Sequence, residues 1–287
     1  MGSEKKTKFS FLKSIIVVLS LISFIFCYGC DGGNMGEEKP ASVSMKSVSE
    51  SSWKALSGKR IYFGHQSVGF NIIQGVNEVM KENPLIKLKV VETNNPGDLK
   101  EPILAHSRVG KNTDPQSKCD SFAELIEKEF GNKADIAFFK FCFVDITAGS
   151  DVEKVFSYYR NTMEHLKKRY PKVTFIHMTV PLTIVQSGVK AWIKEIIGRP
   201  IDGYADNFKR CEFNELMKKE YQGKDPIFDL AKIESTYPEG RQLSLEKNGR
   251  IFYALIPEFT DDGGHLNAKG RKIVAEQLLF LLSELSK

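Results

Sequence analysis

The sequence predicts an α/β fold, a three-layer α/β/α sandwich around a mainly parallel sheet. Three observations carry this expectation. From residue 53 onward, short apolar runs alternate with segments of helical period, the signature of repeated strand–helix units. The run IAFFKFCF, residues 136 to 143, is nearly all apolar, as a strand covered on both faces should be. The chain has 287 residues, 41% hydrophobic and 27% charged, enough for one sizeable core without disulfides.

The elements follow in order. Residues 1 to 29 read as an export signal: Lys5, Lys6, Lys8 and Lys13 precede the uncharged run Ile15 to Phe26. That run is short of the roughly 20 residues a spanning helix needs; counted back to Phe9 across Lys13 it reaches that length, so an uncleaved anchor is the second reading. Residues 30 to 52 are small and polar, a flexible tether. Residues 53 to 287 form the domain. Arg60 to Phe63 is a strand. Ile72, Ile73, Val76, Val79 and Met80 then share one helical face. Ile86 to Thr93 is a second strand, Ser121 to Phe130 a helix and Ile136 to Phe143 a third strand. In Asp151 to Tyr170, apolar residues step by three and four until Pro171 ends the helix. Val173 to Thr179 is a strand. Residues 181 to 206 read as an insertion over a strand end. Phe208 to Tyr221 is a helix, Pro226 to Leu230 a short strand, and Ile251 to Ile256 a strand or a buried extended segment. Ala268 to Leu282 closes the chain as a helix capped by Asn267.

Charge and cysteines narrow the function classes. The formal charge is +5, but residues 1 to 29 carry four lysines and one glutamate, a net of +3, so the rest is near +2. The signs are interspersed, and no basic stripe points to nucleic acid. Of five cysteines, Cys27 and Cys30 lie in the signal region; Cys119, Cys142 and Cys211 remain. If a bridge forms, Cys119 with Cys211 is the expected pair, Cys142 being a buried apolar residue of its strand. No pair has zinc-finger spacing.

Chemistry concentrates at strand ends, where open parallel sheets bind ligands. Ser67 in FGHQSVG follows the first strand, where a helix begins and backbone N–H groups are free. A serine nucleophile needs a base and a group to hold that base. Among five histidines, His265 is the candidate: it lies in TDDGGHLNAKG, three residues after Asp262, so a tight turn lets the carboxylate fix its tautomer. His165 falls in a long helix and His177 inside a strand.

These residues resemble the SGNH, or GDSL-type, hydrolases. Ser67 matches the family's nucleophile after the first strand. Asp262-Gly-Gly-His265 matches its Asp-x-x-His pair before the last helix, and the likeness spans about residues 58 to 284. It implies a flavodoxin-like sheet, an acyl-enzyme on Ser67, and catalysis with no metal or organic cofactor. The chain departs from the family at two places: His65-Gln66-Ser67 stands for Gly-Asp-Ser, and Cys142-Phe143-Val144-Asp145 for Gly-x-Asn-Asp, so Val144 removes a side-chain oxyanion donor. Losing one such donor costs about 2.7–4 kcal/mol of transition-state stabilisation. In HSRVGKNTDP, residues 106 to 115, the Gly110 N–H and the Asn112 amide are substitutes. His65 is either a second polar group in the site or a residue packed beneath the turn. Asp145 orients the loop after its strand or caps a helix. Lys140 snorkels to an edge or pairs with a carboxylate. Trp192 with Val189, Ile193, Ile196 and Ile197 walls a groove or packs a helix. Gly29-Cys30 resembles a bacterial lipoprotein cleavage site, with Cys30 the lipidated residue.

The function expected is an exported, membrane-tethered serine esterase of the cell envelope, acting on acyl esters of carbohydrates or lipids. Two alternatives stand beside it: acyl transfer at the same site, and a non-catalytic binding protein that keeps the fold.

Overall fold

Six strands form one parallel sheet in the computed structural model, which describes residues 45–287. They are β1 (Ile61–His65), β2 (Val90–Glu92), β3 (Leu104–Arg108), β4 (Ile136–Phe139), β5 (Thr174–Met178) and β6 (Ile227–Phe228), in spatial order β2-β3-β1-β4-β5-β6. Without the edge strand β2, this is the 2-1-3-4-5 order of flavodoxin-like sheets. β1 is central and wholly buried, with Ile61 opposite both Leu104 and Ile136. After β1 the chain runs outward to β2 and β3, then crosses back to β4. The strand order therefore reverses at β1, and the crevice opens between the carboxyl ends of β1 and β4.

The helices are α1 (Glu50–Ser57), α2 (Val68–Glu82), α3 (Pro115–Leu125), the single turn α4 (Gly131–Lys133), α5 (Val152–Arg169), α6 (Gly188–Ile196), α7 (Tyr204–Tyr221), α8 (Leu230–Ser235) and α9 (Ala268–Glu284). One core layer joins α1, α2, α8 and α9 to Ile61, Phe63 and Phe138. The other joins α3, α5 and α7 to Tyr62, Ala137 and Phe139. Alternate residues of β1 and β4 thus feed opposite faces, as strand pleating requires. A separate antiparallel hairpin, β7 (Ser244–Lys247) and β8 (Arg250–Tyr253), follows α8.

Several elements differ from the sequence expectation. β3 went unread because only Leu104 and Ala105 of its five residues are apolar, although its first four are buried between β1 and β2. The second expected strand is ordered as β only over Val90–Glu92. The helix expected at Ser121 starts at Pro115, capped by Asp114, whose side chain accepts from the Ser117 N–H. The first helix begins at Glu50, inside the segment read as tether, and buries Trp53 and Leu56. Asn267 caps α9 through the N–H groups of Lys269 and Gly270. Cys119, Cys142 and Cys211 are all free, buried thiols. Cys119 packs in one core cluster and Cys211 in the other, and the pair expected to bridge is not joined. The apolar run, Cys27 and Cys30 lie outside the described residues. Among the described residues no helix is long and apolar enough to cross a membrane.

Candidate active site

Ser67 occupies a backbone conformation that side chains rarely adopt, φ 51° and ψ −113°. The Gly69 N–H donates to the Gln66 carbonyl at 3.0 Å, closing a turn in which Ser67 is the first central residue. These angles are those of a type II′ turn, where glycine is the usual occupant. The strain is sustained by its surroundings. A Cβ on Gly69 would lie 2.4 Å from the His65 ring, so Gly69 lets the first turn of α2 sit directly on that ring. The Gln66 amide donates to the carbonyls of Val109 and Gly110, tying the turn to the loop after β3.

The Ser67 hydroxyl lies 2.5 Å from His265 Nε2. His265 Nδ1 lies 2.6 Å from Asp262 Oδ2. The other Asp262 oxygen accepts the N–H groups of Gly264 at 2.9 Å and His265 at 2.8 Å, and the Thr260 hydroxyl at 3.2 Å. Burial opposes ionisation of Asp262, but the His265 and Gly264 N–H groups and the imidazole outweigh it and hold the carboxyl well below the usual range. An ionised Asp262 facing Nδ1 favours the tautomer that leaves Nε2 to accept the serine proton. Phe143 meets the other side of the imidazole edge-to-face, with centroids 5.5 Å apart. A hydroxyl after β1 and an imidazole before α9, 198 residues apart, thus meet at the switch point of the sheet.

The loop after β3 is held by a buried charge pair. Lys118 Nζ and Asp145 Oδ2 are 2.5 Å apart, with both side chains excluded from solvent. Asp145 also accepts the N–H groups of Thr113 at 2.8 Å and Cys142 at 2.6 Å. Lys118 donates to Asn112 Oδ1 at 3.0 Å. With its oxygen committed, Asn112 keeps its amide hydrogens for another acceptor. Gly110 has φ 55°, and a Cβ there would come within 2.5 Å of the Lys118 backbone. Only glycine lets the loop lie this close to α3.

Asp145 therefore links the end of β4 to the loop carrying Gly110 and Asn112. His65 is fully buried beneath the turn, its Nε2 3.1 Å from His106 Nδ1. Burial, with the charges of His106 and Lys140 nearby, pushes its pKa down to about 2, so the ring is neutral. Lys140 neither snorkels nor pairs with a carboxylate: it is buried and donates to the Phe141 carbonyl at 3.1 Å and to Cys142 Sγ at 3.4 Å. His165 is exposed beside Glu127, and His177 is buried against Tyr159 and Tyr221.

Sequence reasoning missed Lys118, Gln66, Phe143, Thr260 and Arg210. Arg210 is buried, and its guanidinium donates to the carbonyls of Phe143 and Ile146 and to the side chains of Thr183 and Asn207, fixing the wall next to the imidazole. Thr260 acts on its near neighbours Asp262 and Gly263, but the other four act through partners distant in sequence, so nothing local marks them. A cleft of about 610 Å³ opens beside Asp262, lined by Thr113, Phe143, Ile184, Gln186 and Asp206 among others. Among the described residues no group of three or more His, Cys, Asp or Glu side chains is arranged to hold a metal ion.

No family model matches the chain, and no curated protein does. Solved structures do. A candidate acylhydrolase from Bacteroides fragilis superposes with a TM-score of 0.51 at 14% identity, covering 80% of this chain and 88% of its own. The chain shares with that structure an α/β fold, a mainly parallel six-stranded sheet with helices on both sides. A candidate platelet activating factor from Streptococcus pneumonia gives 0.46 at 13% identity, covering 81% of this chain and 90% of its own. A GDSL-like lipase from Parabacteroides merdae gives 0.37 at 13% identity, covering 78% and 95%. In an open parallel sheet of this order the carboxyl ends of β1 and β4 are where a ligand is expected, and Ser67 and Asp145 follow those two strands.

Proposed function

We propose that this protein is a serine hydrolase of acyl esters, working through an acyl-enzyme on Ser67. The observation that carries the reading is the unbroken relay from the Ser67 hydroxyl through both His265 nitrogens to Asp262. His265 Nε2 takes the serine proton as Oγ attacks the ester carbonyl, and Asp262 stabilises the imidazolium that results. The tetrahedral oxyanion is met by the N–H groups of Ser67 and Gly110 and the Asn112 amide. Collapse expels the alcohol, which takes the proton from His265. Water, deprotonated by the same nitrogen, then attacks the acyl-serine and restores the enzyme. No metal or organic cofactor enters this scheme.

The carrier alcohol is larger than the acyl group in this reading. The cleft beside Asp262 exceeds the needs of an acetyl group, and it is lined by Gln186, whose Oε1 is buried with no partner among the described residues. That acceptor suits the hydroxyl of a carbohydrate or glycerol carrier. The same room admits an acceptor alcohol in place of water, which favours acyl transfer as the second reading; product analysis with and without a sugar acceptor separates the two. Export, lipidation at Cys30 and a place in the cell envelope complete the proposal, supported by the charge and apolar pattern of residues 1 to 30. The deciding experiment is fluorophosphonate labelling with p-nitrophenyl acetate turnover. Labelling at Ser67 and its loss in Ser67→Ala are expected. Unchanged turnover in a folded Ser67→Ala variant would reject the mechanism; a wild-type protein with neither labelling nor turnover would favour a binding protein that keeps the fold.

A further inference from the structure

α6 turns its apolar face outward. At 100° per residue, Val189, Trp192, Ile193, Ile196 and Ile197 fall within an arc of about 140°, and all five are 46% to 71% exposed. The opposite side faces the protein: Ala191 is buried, and Lys194 is held to Asp202 at 2.8 Å. The sequence left open a groove wall or a packed helix; instead these side chains face solvent.

We propose that this face docks on an anionic phospholipid bilayer. Three features select that occupant. The apolar arc is flanked in sequence by Lys190 and Arg199, with an exposed tryptophan at one edge, the composition of helices that lie in a lipid interface. The five side chains offer on the order of 500 Å², short of the roughly 800 Å² that each side of a stable protein interface buries. The uncharged run Ile15 to Phe26, with four lysines before it, is the sequence pattern of a segment that delivers a chain to a membrane.

Docking is coupled to the candidate active site. The segment that carries α6 also walls the cleft: the Ile184 N–H donates to the Gly263 carbonyl at 2.9 Å, and the Gln186 N–H to the Asp202 carbonyl at 3.0 Å. A helix seated in the headgroup region therefore brings the cleft beside Asp262 to the lipid surface. Resting on the hydrolase reading above, this favours acyl esters whose carrier is itself held in the membrane.

The test uses the full chain with vesicles of phosphatidylglycerol and phosphatidylethanolamine carrying brominated acyl chains. The chain has two tryptophans, Trp53 buried at 3% exposure and Trp192 at 60%, so Trp53 is an internal reference. Trp192 emission should shift to the blue and fall at least twofold with brominated lipid, and Trp192→Phe should abolish that quenching. Ile193→Asp with Ile196→Asp should abolish it too, lower turnover of a vesicle-borne ester tenfold or more, and leave p-nitrophenyl acetate turnover within twofold. Trp192 that stays open to aqueous iodide and unquenched by brominated lipid overturns the proposal. So does protection that needs no vesicles and grows with protein concentration, which would assign the face to a second copy. Failure of the Ser67 reading would instead appear as fluorophosphonate-resistant turnover, with the fluorescence unaffected.

Discussion

Replacing Ser67 by glycine and by alanine should invert the usual order of stability. Both variants lose the hydroxyl and its bond to His265, so that loss cancels between them. They differ in the backbone. At an unstrained site glycine is less stable than alanine by roughly 0.5–1 kcal/mol, because it gives up more freedom on folding. At φ 51° and ψ −113° a Cβ is strained, and such residues cost on the order of 1–3 kcal/mol. The glycine variant should therefore exceed the alanine variant by about 1 kcal/mol, which for a domain of this size is a Tm difference of about 2–4 °C. Thermal and urea unfolding of the two proteins, both inactive toward p-nitrophenyl acetate, measures it. An alanine variant as stable as the glycine variant would refute the inference that the nucleophile is held under backbone strain.

Three other outcomes are expected. Lys118→Met leaves Asp145 buried and unpaired; removing one partner of such a pair costs about 3–5 kcal/mol, seen as a lower urea midpoint, and the loosened Asn112 and Thr113 should lower kcat more than they raise KM. Asp262→Asn should cut kcat/KM by about 10³–10⁴ while Ser67 stays in place, because the wrong tautomer of His265 is then favoured; a loss under tenfold would exclude Asp262 as the orienting acid. Glu234 is buried, and although its Oε2 accepts the Leu182 N–H, burial raises its pKa to about 8. Its folded-state pKa lies above the unfolded value, so its contribution is complete below about pH 4 and is lost as pH rises through 8, by up to about 1.4 kcal/mol per pH unit. Glu234→Gln should flatten the stability–pH profile in that window, measured by unfolding at fixed pH steps.

Fold class and the two sequence blocks of the candidate site are determined locally. The period of side-chain burial is a property of a strand or a helix by itself, so β1, β4, α5 and α9 are legible from their own residues. Asp262 and His265 are three apart, and one turn of chain is enough to bring them together. The meeting of Ser67 with His265 is not local: it follows from the strand order, which sets β1 beside β4 and the loop before α9 over their ends. β3 was hidden for the same reason. Its sequence is half polar, and only a position between β1 and β2 makes it a buried strand. Lys118, Asp145 and Asn112 form one network across 27 to 33 residues of chain, and the outward face of α6 is set by what the fold leaves uncovered. Short-range patterns are written in the chain because torsions and burial periods act over a few residues; contacts that depend on how the chain crosses the sheet exist only once the whole core has formed.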